Sequence, residues 1–158
     1  MVARLTGWRM CRQAGIALAY SRVYGFAMLL EFLSMVKGIE HTAIASTDPQ
    51  KLAQWYVETL GFAISYNSGR TVFLKAPDGT MIEIITAEGE RPAQTAKSPG
   101  LRHLALTVED FDAAYGKLKA AGVEFAGEPS ESQGVRLVFF KDPEGNLLHL
   151  IRRAQPLP

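Results

Sequence analysis

All three histidines of this 158-residue chain, His41, His103 and His149, fall inside two segments that repeat, and a carboxylate, Glu83, holds the fourth matching place. Gly38 to Ile44 aligns with Gly100 to Leu106 at an offset of 62, placing His41 on His103. Phe73 to Ile85 aligns with Phe139 to Ile151 at an offset of 66, placing Glu83 on His149. Along a strand, side chains alternate between faces, so His41 shares a face with Ile39, Ala43 and Ala45, and Glu83 shares one with Met81 and Ile85. A carboxylate in such surroundings is costly unless it meets a cation, and three imidazoles with one carboxylate suit zinc, nickel, iron, cobalt or manganese. His41, Glu83, His103 and His149 are therefore the expected ligands of one divalent metal ion. Glu83 and His149 are the expected catalytic groups, since either can serve as proton shuttle.

The elements that must position these groups follow the same repeat. Each half opens with an alternating apolar run and reaches an N-cap, Asp48 before Pro49 or Asp110. A helix follows, striped by Leu52, Tyr56 and Leu60 and stopped by Gly61, or striped by Phe111, Ala114, Tyr115 and Leu118 and stopped by Gly122. Short apolar runs come next: Ala63 to Tyr66, Thr71 to Lys75 and Met81 to Thr86, then Val123 to Ala126, Val135 to Lys141 and Leu147 to Arg152. Asn67-Ser68-Gly69, Pro77-Asp78-Gly79 and Pro143-Glu144-Gly145 supply turns. The expectation is an α+β fold of two tandem βαβββ modules, whose curved mixed sheets pack side by side, bury their inner faces and enclose a metal cleft. Module one spans 36–87, the linker 88–99 and module two 100–153 of a domain running 35–158.

Residues 35–153 resemble the vicinal oxygen chelate superfamily, which includes glyoxalase I, methylmalonyl-CoA epimerase, extradiol dioxygenases and fosfomycin and bleomycin resistance proteins. The resemblance is carried by His41 opening the first strand, by Trp55-Tyr56-Val57-Glu58-Thr59-Leu60-Gly61-Phe62 and by Asp142-Pro143-Glu144-Gly145-Asn146 before the last strand. It implies a metal that chelates neighbouring oxygens of a small substrate, in a lyase or isomerase of the glyoxalase-like group. It equally allows an iron-dependent ring-cleaving dioxygenase using His41, His103 and Glu83, or a metal-free binding protein; the four candidate ligands favour an enzyme. This chain departs from glyoxalase I in carrying His149 where that enzyme has its ligand and base Glu, Ala45 where glutathione-dependent members have Arg, and Ala87 where they have Asn. Dimers are common among such proteins, so a homodimer is expected.

Charge excludes some partners. Seventeen Lys and Arg against sixteen Asp and Glu give no field that would draw nucleic acid or an acidic membrane. One cysteine, Cys11, cannot form an internal disulfide, which fits the cytoplasm. Residues 1–34 are locally basic, with Arg4, Arg9, Arg12 and Arg22 against Glu31, and read as an upstream extension from an early start or a loosely attached amphipathic helix. Tyr66, Arg70 and Arg136 are candidates for the cleft mouth but read better as strand-edge residues, and Gly127 to Gly134 reads as a connector rather than a lid.

Overall fold

In the computed structural model, strand β1 (His41–Ser46) leads into helix α1 (Pro49–Leu60) and strands β2 (Ala63–Asn67), β3 (Thr71–Lys75) and β4 (Met81–Thr86). The second copy follows as β5 (His103–Thr107), α2 (Phe111–Ala120), β6 (Ser130–Ser132), β7 (Val135–Lys141) and β8 (Leu147–Arg153). The structure describes residues 36–157; the extension expected at 1–34 and Cys11 lie outside them. From Glu40 onward the chain is one compact unit. No helix among the described residues is long and apolar enough to cross a membrane.

Local chemistry sets the element ends. Asp48 accepts the Lys51 amide at 3.0 Å, and Asp110 accepts the Ala113 amide at 2.9 Å, each satisfying a donor that the first helical turn leaves open. Helix α1 stops where Gly61 takes a left-handed φ of 77° and returns its amide to the Val57 carbonyl at 3.1 Å. Helix α2 stops at Ala121, with Gly122 left-handed just beyond.

Each module forms a four-stranded mixed sheet, in the orders β1-β4-β3-β2 and β5-β8-β7-β6, as the repeat predicts. The pairs at one edge, β1 with β4 and β5 with β8, are parallel, and the remaining pairs are antiparallel. One stretch departs from expectation. Residues Val123 to Ala126 contribute a single bridge, Phe125 to Phe140, and the outer strand is β6, inside the segment read as a connector. Pro129, which has no N–H to give a ladder, separates the two pieces.

The alternation places one hydrophobic core on the helix-bearing sides. Ile44, Val72, Leu74, Ile82 and Ile84 of sheet one join Val138, Phe140, Leu148 and Leu150 of sheet two, together with Leu52 and Tyr56 of α1 and Phe111 and Leu118 of α2. The modules are further locked by polar contacts running one way. The buried Tyr56 hydroxyl donates to Asp142 at 3.1 Å, and the Ser46 hydroxyl and Thr47 amide donate to Glu144 at 2.6 and 2.9 Å. Asp142 also accepts the amides of Glu144 and Asn146, so a single carboxylate shapes the turn and receives α1.

The opposite faces of the two sheets are left largely uncovered by the described residues. Ala43 and Ala45 on β1, and His103, Ala105 and Thr107 on β5, are exposed. Here the expectation that side-by-side packing of the two sheets buries their inner faces is corrected among the described residues: the shared core forms on the helix sides, and these inner-face positions stay exposed.

Candidate metal centre

The parallel register sets His41 opposite Met81 and Ala43 opposite Glu83, so His41 and Glu83 are diagonal neighbours on the inner face of sheet one. Their Nε2 and Oε2 atoms lie 3.3 Å apart. Nδ1 of His41 meets the Glu40 carboxylate. That hydrogen bond, above all, holds the His41 imidazolium above the usual histidine range; burial opposes it, and the charges of Glu40 and Glu83 add to it. Phe73, opposite Glu83 on β3, stands edge-on to the His41 ring at 5.3 Å.

Sheet two repeats the arrangement. His103 lies opposite Leu147 and Ala105 opposite His149, and the two imidazoles stand 4.8 Å apart between centroids. Phe139, opposite His149, stands edge-on to both rings at 5.5 and 4.8 Å. His149 is 6% exposed, yet neither Nδ1 nor Nε2 has a hydrogen-bond partner among the described residues. Burial lowers its pKa, with the neighbouring His103 imidazole and the Arg153 guanidinium acting in the same direction. Leaving a buried polar atom unpaired costs about 1–3 kcal/mol, so the lone-pair nitrogen of this imidazole is suited to an electron-pair acceptor that the described residues do not provide.

The structure thus brings the four expected residues together as two pairs, His41 with Glu83 and His103 with His149. Among the described residues, no three His, Cys, Asp or Glu side chains converge on one point of the chain. The donor set fits a divalent transition metal in its chemistry: imidazole nitrogens, one carboxylate and a buried ring awaiting a partner.

Other candidates sort differently. Tyr66 lies on the inner face against Phe73, at 6.2 Å. Arg136 is turned to the helix side, bonded to both oxygens of Asp112 at 2.7 and 2.8 Å and stacked 4.5 Å over the Phe111 ring, and so is no part of the cleft mouth. Three participants escaped the sequence reading. Phe73 and Phe139 occupy matching places in the repeat, which was the available signal. Glu40 had none, since alternation puts it on the face opposite His41 and its counterpart in the repeat is Arg102.

Comparison with known proteins gives a consistent picture. The family model of the Glyoxalase/Bleomycin resistance protein/Dioxygenase superfamily matches residues 38–150. The chain is 31% identical over 122 residues to an ethylmalonyl-CoA/methylmalonyl-CoA epimerase of Cereibacter sphaeroides, covering 70% of this chain and 91% of that one. It is 28% identical over 128 residues to a probable lactoylglutathione lyase of Vibrio cholerae, covering 74% and 91%. Among solved structures, the glyoxalase family protein from Enterococcus faecalis superposes with a TM-score of 0.62 at 30% identity, covering 75% of this chain and 99% of that one.

Proposed function

This chain belongs to the Glyoxalase/Bleomycin resistance protein/Dioxygenase superfamily, and from that premise we propose that it is a metal-dependent lyase or isomerase acting on a small substrate with vicinal oxygens. In this reading the site is completed between two copies in a homodimer, His41 and Glu83 of one facing His103 and His149 of the other. The observation that carries it is the pair of half-sites: two ligands each, at matching places on open inner faces, one of them a buried imidazole with both nitrogens unpartnered.

His41, Glu83, His103 and His149 would hold the ion, and a divalent metal so held polarises neighbouring substrate oxygens as a Lewis acid. The chain's own groups do the rest. Glu40 fixes the His41 ring through Nδ1 and leaves Nε2 directed to the site beside Glu83. Glu83, the one carboxylate of the set, receives a proton from the substrate at Oε2. His149, held neutral near neutrality by burial, is the second group able to carry a proton, at a ring nitrogen. Phe73 and Phe139 stand edge-on beside the half-sites and limit the orientations of the imidazole rings.

The relatives named above support this class: one is described as an epimerase, an isomerase by reaction type, and another as a probable lyase. Glutathione is not favoured as a substrate component, because Ala45 and Ala87 offer no polar groups. Elemental analysis of the purified protein tests the reading. About one transition metal per chain is expected in wild type, with little in His41→Ala or Glu83→Ala. Absence of metal from wild type, even after reconstitution with zinc, nickel, iron, cobalt or manganese, would refute it.

A further inference from the structure

On β8 the inner face continues from His149 through Ile151 to Arg153, and on β5 it continues from His103 through Ala105 to Thr107. Thr107 stands opposite Ile151 in the register. At this end of the strand pair lies an open cavity of about 350 Å³, lined among others by Thr107, Glu109, Ile151, Arg152, Arg153 and Pro156. The two arginines differ. Arg152 points away from the inner face and donates through Nε to the Glu109 carbonyl at 3.1 Å. Arg153 is exposed, shares the His149 face, and has no hydrogen-bond or ion-pair partner among the described residues. Its charge bears on His149, as expected for a guanidinium on the same side of the sheet.

The geometry points to an anion subsite here, in which Arg153 and the Thr107 hydroxyl receive a distal carboxylate of the substrate while Ile151 supports the apolar segment leading to the metal-binding pair. This assignment rests on the proposed metal centre and deepens it by naming a substrate class: hydroxy or oxo acids with a second carboxylate at the far end. A guanidinium presents two parallel N–H donors that match a carboxylate. Glu109 on the cavity wall offsets one arginine charge, which favours a singly charged carboxylate over a dianionic phosphate. Four steps of strand lead from His149 to Arg153, about 13 Å between backbones at ~3.3 Å per residue, and the arginine side chain spans part of that distance. The substrate therefore needs a short aliphatic spacer, which the nearly buried Ile151 would contact.

Calorimetric titration of the metal-loaded protein with 2-hydroxyadipate and with 2-hydroxyhexanoate tests the subsite, since the two acids differ in the distal carboxylate. Wild type is expected to bind the diacid about tenfold more tightly or better. Arg153→Gln is expected to remove most of that preference and Thr107→Val part of it, with metal content unchanged in both. Equal binding of the two acids by wild type, or an undiminished preference in Arg153→Gln, overturns the assignment. Metal content measured on the same samples separates this outcome from failure of the metal centre. Should wild type prove metal-free, titration with adipate against wild type and Arg153→Gln still decides the subsite: weaker binding by the variant supports it, and equal binding refutes it.

Discussion

If each metal centre takes His41 and Glu83 from one copy and His103 and His149 from another, two differently crippled chains should repair each other. The first chain carries His41→Ala with Glu83→Ala, and the second carries His103→Ala with His149→Ala. Alone, each forms dimers in which every centre lacks one whole pair. Mixed in equal amounts and allowed to exchange, half the dimers are mixed, and each of those joins the intact first module of one chain to the intact second module of the other at one centre. About a quarter of the wild-type centres should therefore return, as a twofold interface with two equivalent sites requires. The core argues that the variants will fold, because none of the four residues, the buried His149 included, belongs to the hydrophobic cluster on the helix sides. The assay is metal content per chain after mild denaturant exchange and refolding, with each variant alone as baseline. No recovery over baseline, in a mixture shown to contain mixed dimers, would refute the shared centre and return all four ligands to a single chain.

Two further outcomes concern the fold that presents the site. Burial tends to raise the Glu144 pKa, but hydrogen bonds from Ser46, Thr47 and the backbone of Thr47 and Asp48 outweigh it and hold it below the usual range. The stability it confers is present above the ordinary carboxylate pKa and fades as pH falls through the lowered one, so urea midpoints of wild type and Glu144→Gln should converge as pH falls into the acid range. Tyr56→Phe removes a buried hydrogen bond to a carboxylate and should destabilise the protein by roughly 1.5–3 kcal/mol in equilibrium unfolding; an unchanged midpoint would show that the bond contributes nothing net.

Much of this architecture was legible in the residues, and the exceptions have physical causes. Strands β3, β4 and β7 occupy the predicted runs, because turn residues bound them on both sides and period-two alternation runs through them. The capping aspartates and Gly61 set the helix ends as expected. The failure at 123–126 came from an apolar run too short to hold a ladder of its own next to Pro129. A subtler gap concerned the inner faces. Alternation tells which side of its strand a residue occupies, but neither the parallel register that pairs His41 with Glu83 and His103 with His149 nor what covers that side. Arg136 shows the same limit: on β7 it could be assigned to a face, yet only packing reveals that Phe111 and Asp112 hold it. Arg153 was missed as part of the inner face because the last strand was read as ending at Arg152.

The contact between Tyr56 and Asp142 also bears on how a duplicated unit keeps its halves distinct. Carried across the repeat, the counterpart of Tyr56 is Leu118 and that of Asp142 is Ala76. The two modules thus hold a hydroxyl and carboxylate on one side of their pseudo-twofold and two hydrocarbon side chains on the other. Two first modules placed in the same arrangement would set a buried phenol against alanine and leave its hydroxyl without a partner, and two second modules would set a buried carboxylate against leucine, with only the contacts of its own turn remaining. Only the pairing of unlike halves satisfies both. This buried polar pair, beside the Ser46 and Thr47 contacts with Glu144, therefore acts as an identity tag, and it gives a physical reason why the two halves, once diverged at these places, can no longer substitute for each other.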